Sequence, residues 1–458
     1  MQISFDISYE NLNITEQYLF QVIGLFPGSD FTPASCAAMV GVDTECIYDN
    51  IDILFQQSLL REVKDDRYRV HDLLRDYSRK KYFSAHDSDM SPINQLVRFY
   101  IKCIKCCCKI LYPFSHREYI DDGYIWNVSG LPEDRSSAFE WLSDEIENIF
   151  ACLNLIRNKN WNTLYFSLSY VLLPYILKRL SGWRVIEICE YLTSCNDIDR
   201  WMSAASLSAL GNAYQQVGNF DDAVSFYKKS EDLWRDVSNN AGLADTLTSH
   251  CFTLERLGRY DEALDVADEA LRYQQSIGDY HGIANVMNCR GAIFWRMKQY
   301  NVAKQIFEEV IEIRNKIGDT FGATNSINNW AFTMLKLGDE KTAREGFAKS
   351  LALARSNKDY SGESVTLNNL GYTEILAQNP DVALSRADEA YDVALRIGDE
   401  YQIGRSYDVK GKAFLLNNNY SSSIECFQLS LKYFDKLNVP EAMETIEILS
   451  RLNSGLHK

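Results

Sequence analysis

A 40-residue self-similarity runs from about Trp201 to Pro440 and constrains what this chain can fold into more than any other feature. The small residues Gly211, Cys251, Gly291, Ala331, Gly371 and Gly411 recur at that interval. Twelve residues beyond them stand Ala223, Ala263, Ala303, Ala343, Ala383 and Ser423. The phrase Ile-Gly-Asp returns at 277–279, 317–319 and 397–399, and short turn phrases end on Phe220, Tyr260, Tyr300 and Tyr420. Periods of this size belong to solenoids, whose units bury their apolar faces only against their neighbours. Within one repeat, Leu210-Gly211-Asn212-Ala213-Tyr214 reads as a first helix: the small residue allows close approach and the aromatic packs the partner. Asp221-Asp222-Ala223-Val224 opens a second helix, with acids in the first turn where the helix dipole favours them. Six helix pairs are expected.

This small–aromatic–alanine pattern resembles the tetratricopeptide repeat (TPR) in a long form, with Cys251 and Ser423 departing from the family's usual residues. The resemblance covers about half of the chain and implies a right-handed superhelix that takes ligands on the concave side of its first helices. With Gly291 as the eighth position of its repeat, the family's concave positions are the second, fifth, ninth, twelfth and thirteenth, which helical geometry sets on one stripe. The fifth holds Asn288, Asn328 and Asn368, flanked by Asn285 and Asn325 at the second. The thirteenth holds Arg256, Arg296 and Lys336, and Phe252, Trp295, Phe332 and Tyr372 lie between. A ladder of carboxamides can pair with a peptide backbone whatever its side chains, and the cations can hold a carboxylate. The competing reading has the amides bridging neighbouring helices and the cations solvated, paired with Asp245 or Glu255.

A length of 458 residues is too long for one ordinary core and natural for a solenoid with small domains before it. The net charge of −16 works against attraction to nucleic acid or anionic lipid. No basic stretch followed by an apolar one opens the sequence, so no secretory signal is visible. The most apolar run, Tyr165 to Leu177, is short for a membrane span and carries Pro174, which favours a buried helix. Among twelve cysteines, Cys103, Cys106, Cys107 and Cys108 cluster, but no second Cys/His pair stands at a zinc-site spacing. Reduced thiols acting as small core residues of a cytoplasmic protein are expected, with no metal and no cofactor.

Residues 1–85 read as a compact helical module with a hairpin. Asn13–Phe26 is amphipathic, Thr32-Pro33 starts a short helix, and Asp43 caps a third running to Leu59. Strands at Leu60–Val63 and Tyr68–Val70 flank the turn Lys64-Asp65-Asp66-Arg67. Three helices and a hairpin are the order of a winged helix. Phe5 to Leu12, Leu25-Phe26-Pro27-Gly28 and Tyr68-Arg69-Val70-His71-Asp72-Leu73-Leu74-Arg75 resemble the winged-helix part of NB-ARC ATPases, members of the STAND class of signalling ATPases. Val70-His71-Asp72 stands at that family's Met-His-Asp motif; the resemblance implies that His71 senses a nucleotide β-phosphate and that Asp72 holds the wing. The sequence contains no Gly-x-x-x-x-Gly-Lys-Ser/Thr, so the phosphate cradle is expected to be missing or supplied in trans, and His71 to be a packed or partly solvated histidine. A DNA-reading helix needs basic or amide side chains, whereas the third helix offers Asp43, Glu45, Asp49 and Asp52; docking on protein is the expected use of this module.

Residues 86–200 are expected to form a helical connector with degenerate repeats: helices at Ser91–Leu111, Ser136–Arg157, Trp161–Leu180 and Trp183–Ser194, and a flexible insertion from Pro113 to Arg135. Six TPR units fill 201–440, and 441–458 form a capping helix and tail. The histidines are scattered at His71, His86, His116, His250, His281 and His457, and no nucleophile–base or paired-carboxylate motif is present. The chain is therefore read as a mostly α, non-catalytic regulator that binds a peptide or protein in the TPR groove, with a DNA-binding transcription factor as the alternative.

Overall fold

The computed structural model describes residues 2–114, 130–179, 182–195, 197–437, 439 and 441–454. Most of the expected insertion, with His116, and the last tail residues, with His457, lie outside them. The chain divides into two compact units, Met1–Gly242 and Leu243–Lys458.

The first unit starts with α1 (Gln2–Glu10), α2 (Ile14–Ile23) and α3 (Pro33–Val40). Asn13 closes α2 with a capping box shared with Glu16, and Thr32 caps α3 with Pro33 in its first turn. The third helix is shorter than the sequence predicts. Asp43 makes no capping bond and precedes a single 3-10 turn at Thr44–Cys46; α4 (Tyr48–Gln56) then starts after Ile47 and ends before Ser58, whose φ is +59°. The hairpin pairs β1 (Arg61–Lys64) with β2 (Arg67–Arg69), antiparallel, with Glu62 opposite Tyr68. Phe31 bridges the other side of Tyr68. After α5 (Asp72–His86) come α6 (Ser91–Leu111), α7 (Arg135–Asn158), α8 (Asn162–Arg179) and α9 (Gly182–Ser194), within two residues of the expected bounds. α10 (Arg200–Gln216) and α11 (Phe220–Asp236) make the first helix pair of the repeats.

One polar cluster ties hairpin to connector. Arg67 donates to Asp30 Oδ1 at 2.8 Å and to Glu145 Oε1 at 2.5 Å. Glu145 Oε2 accepts from the Tyr100 hydroxyl at 2.8 Å and from Asn148 Nδ2 at 3.0 Å, and the same nitrogen donates to the Asp30 carbonyl. With Glu145 2% exposed, only a full set of partners makes burial of its charge tolerable. Cys103, Cys107 and Cys108 are buried on α6, and burial pushes the Cys107 thiol up to about 12, so they behave as small core residues. α8 carries Pro174 and buries Phe166, Leu168, Leu172 and Ile176. No described helix is long and apolar enough to cross a membrane.

The second unit begins inside α12 (Asn240–Arg256) and continues through α13 (Tyr260–Ile277), α14 (Tyr280–Arg296), α15 (Tyr300–Ile317), α16 (Thr320–Lys336), α17 (Glu340–Ser356), α18 (Tyr360–Leu376), α19 (Pro380–Ile397), α20 (Glu400–Leu416) and α21 (Tyr420–Lys436) to the terminal α22 (Glu441–Asn453). The helices alternate as the 40-residue period requires. The physical content of Ile-Gly-Asp is a joint. Gly278, Gly318 and Gly398 end their helices with φ of +71°, +73° and +70°, in the left-handed region that a Cβ disfavours. The following Asp279, Asp319 and Asp399 then cap the next helix, accepting from the backbone N–H of Gly282, Gly322 and Gln402. The eighth-position small residue has an equally plain cause. A Cβ on Gly291 would stand 2.6 Å from the Phe307 ring, and one on Gly411 2.9 Å from the Phe427 ring.

Candidate peptide-binding face

The first helices α12, α14, α16, α18 and α20 carry the residues that the sequence singles out, all within the second unit. The structure sorts them into those that hold helices together and those that face outward. Asn368 is fully buried; its Nδ2 donates to the carbonyl and the Oε1 of Gln402, both at 3.1 Å, and its Oδ1 accepts from Ser406. Asn328, 7% exposed, accepts from Asn369 Nδ2 at 3.1 Å. Asn288 accepts from Asn329 Nδ2 and from Ser326, each at 3.4 Å. Asn285 accepts from Arg314 at 2.8 Å. The carbonyl ends of Asn288 and Asn328 thus stitch successive repeats, and that of Asn285 ties the two helices of its own repeat. Their amide donors have no hydrogen bond among the described ones, and Asn325 is exposed without one. Asn329 and Asn369, the partners in this stitching, escaped the sequence reading; their adjacency to the fifth position is the signal that names them.

The aromatic residues form a row. Trp295 lies 5.5 Å from Phe332, and Phe332 lies 6.3 Å from Tyr372, ring centre to ring centre. Each ring has a cation beside it: Arg296 at 5.7 Å from Trp295, Lys336 at 5.5 Å from Phe332, and Lys412 at 5.6 Å from Tyr372. The Trp295 indole N–H is buried with no hydrogen-bond acceptor among the described residues. Lys412 stands at the ninth position of its repeat, where Phe332 and Tyr372 stand in theirs; the same register would have found it. It pairs with Asp408 at 2.8 Å, whose carboxyl is pushed up by burial against the pull of that ammonium.

The cationic edge is accessible but not wholly free. Arg296 Nε binds Glu255 at 3.1 Å and Arg256 Nε lies 3.9 Å from the same carboxylate, with the arginines about half exposed or more at 50% and 62%. Glu255 is buried, at 8% exposed, so each arginine keeps a solvent-facing side on which a ligand carboxylate can bind beside it. Burial and the bond to Glu441 push the Tyr401 phenol up to about 12, while Arg405 and Arg256 pull it down.

Below this face a denser network joins α14, α15 and α16. Arg314, buried, bonds both Asp319 and Asn285, and His281 Nδ1 lies 3.1 Å from Asp319. Burial raises the Asp319 carboxyl, yet the bonds from His281 and the Gly322 N–H and the Arg314 charge bring it down to about 2. In the first unit, His71 is exposed and caps α5, its Nδ1 accepting from the Leu73 N–H at 3.4 Å, with Asp72 exposed in the same first turn. No group of three metal-ligating side chains gathers among the described residues.

Comparison with known proteins agrees with the array. Tetratricopeptide repeat models match residues 206–236, 242–316 and 323–396. The regulatory protein AfsR of Streptomyces griseus is 26% identical over 156 residues, 32% of this chain and 16% of that protein. The AfsR of Streptomyces coelicolor is 26% identical over 160 residues, 33% of this chain and again 16% of the relative. The matched stretch thus spans about a sixth of the length of these curated relatives. Among solved structures, the apo form of the quorum sensor NprR from B. thuringiensis superposes with a TM-score of 0.53 at 13% identity, covering 79% of this chain and 92% of that one. A STAND protein with a tetratricopeptide repeat sensor from Pyrococcus horikoshii superposes with a TM-score of 0.50 at 15% identity, over 97% of this chain and 67% of that one. At such identities the likeness is one of fold: a TPR solenoid.

Proposed function

We propose that this chain is a non-catalytic, cytoplasmic regulator that binds a peptide or protein segment along the first-helix face of its TPR array. The observation that carries the reading is the Trp295–Phe332–Tyr372 row with Arg296, Lys336 and Lys412 beside it. Aromatic faces with cations at their edges suit a ligand that is apolar along its length and bears carboxylates. The amide donors of Asn285, Asn288 and Asn328 add backbone pairing, while Asn368 acts from within as a stitch between helices. Support comes from the match to AfsR, a regulatory protein, and from the two similar solved solenoids, a tetratricopeptide repeat sensor and a quorum sensor. The N-terminal order of α2, α3, α4 and hairpin is read as a winged helix in the manner of STAND regulators.

Screening an acidic, apolar-rich peptide library against the full chain tests this. Selected peptides are expected to lose about tenfold or more in affinity on Trp295→Ala or Phe332→Ala, as truncated aromatic anchors do. Charge reversal at Arg256, Arg296 and Lys336 should remove any preference for a carboxylate. Binding indifferent to both sets of changes sinks the reading.

A further inference from the structure

Among the described residues of the first unit, α4 and β1 present an uncovered face. α4 buries Ile51 and Leu54 and turns Tyr48, Asp52 and Phe55 outward, a spacing that puts all three on one stripe. Tyr48 is 39% exposed and Phe55 43%. Next to them β1 is exposed along its whole length, with Val63 at 49%, and pairs only with β2 among the described residues. Its outer edge presents unpaired backbone donors and acceptors.

The charge of this face is decided by which ions are already matched. Lys64 binds Asp144 at 3.0 Å, Arg67 binds Asp30 and Glu145, and Arg69 lies 3.6 Å from Asp30. Of the hairpin's basic residues only Arg61 has no ion pair among the described residues. Asp49, Asp52, Glu62, Asp65 and Asp66 are exposed and have none either. Helix and hairpin acids converge: the Tyr68 phenol is raised by burial and then by the charges of Glu62, Asp66 and Asp52. Tyr68 also packs edge-on against Phe55, at 6.4 Å between ring centres. A phosphate backbone would meet this negative field at the helix that has to enter a groove.

We propose that the α4–β1 face docks a basic segment of a partner protein, rich in Lys and Arg and with apolar residues placed to cover Tyr48 and Phe55. Charge complementarity selects the partner and steers its approach, the two aromatic side chains anchor it, and the β1 edge can pair its backbone. Rather than acting outward as ligands for nucleic acid, Lys64 and Arg67 act as ties to α7, and Arg69 is drawn to Asp30.

The test uses the full chain, a fluorescein-labelled amphipathic Lys/Leu peptide and a labelled duplex DNA fragment, read by anisotropy. The peptide is expected to bind and the DNA not to. Asp49→Lys with Asp52→Lys, and separately Phe55→Ser, should each weaken peptide binding about tenfold, and Phe55→Leu should restore it. Asp221→Lys with Asp232→Lys, on α11, changes the net charge equally and should leave binding as it was. Hydrogen exchange of the wild type with peptide should slow across 45–66, a readout independent of how the variants fold. No peptide binding, equal loss in the α11 control, unslowed exchange at 45–66, or DNA binding would each overturn the proposal.

Discussion

Some buried polar groups in the first unit are held by one cluster drawn from distant points of the chain: Asp30, Arg67, Tyr100, Glu145 and Asn148. In the second unit they are held by short bonds handed from repeat to repeat, Asn329 to Asn288, Asn369 to Asn328 and Arg405 to Asn369. The first arrangement concentrates many partners on one carboxylate, so losing that group strands several donors together. The second spreads the same task over equivalent sites, each of which can fail without its neighbours. A single-copy fold and a repetitive one thus differ in where they are fragile.

The sharpest way to break this comparison is Glu145→Ala. Tyr100 would lose its acceptor, Arg67 and Asn148 would keep only Asp30, and we expect a cost of about 3–5 kcal/mol, seen as an early urea transition confined to the first unit. A second test lies in acid. Asp319 has a folded-state value near 2, below its ordinary 3.8, so its contribution is present above about pH 4 and disappears as pH falls through 2. That shift corresponds to about 2 kcal/mol, and Asp319→Asn should flatten the acid limb of the second unit's denaturation profile by this amount. Wild-type and variant profiles that stay parallel between pH 4 and 2 would contradict it.

Two glycines sharpen the repetitive side. Gly291→Ala drives a methyl against the Phe307 ring and should cost about 1–3 kcal/mol by thermal unfolding. Gly318→Ala meets open space and suffers only from its φ of +73°, so about 1 kcal/mol is expected. If the second change proved the costlier, the close helix approach would not be what fixes the eighth position.

The repeats were legible because their constraints recur. Ile-Gly-Asp, the small residue and the alanine twelve positions on each report one local geometry many times, and helix bounds follow closely. Thr32-Pro33 was legible for a similar reason, since caps are local chemistry. Asp43 misled because a good capping residue leads only into a 3-10 turn, with no side-chain capping bond, and Ile47 interrupts the helix behind it. The Arg67–Glu145 cluster left no trace in the sequence: apart from Glu145 and Asn148 its members stand tens of residues apart, and the arrangement occurs once. The candidate face was half legible. Register pointed to Trp295, Phe332, Tyr372, Arg296 and Lys336 and passed over Lys412, and an asparagine looks the same in sequence whether its amide faces a ligand or, like Asn368, the next helix.

The glycine–aspartate joint has a consequence for how such a chain can change its size. Gly318 ends one helix and Asp319 starts the next through bonds to nearby backbone, so most of what defines the corner travels inside a single 40-residue segment. Duplication or loss of one whole segment would carry its corner with it and present the same surfaces to the helices on either side. Array length, and with it the span of ligand that can be covered, is therefore adjustable in steps of one repeat by recombination, whereas the N-terminal unit can vary only residue by residue.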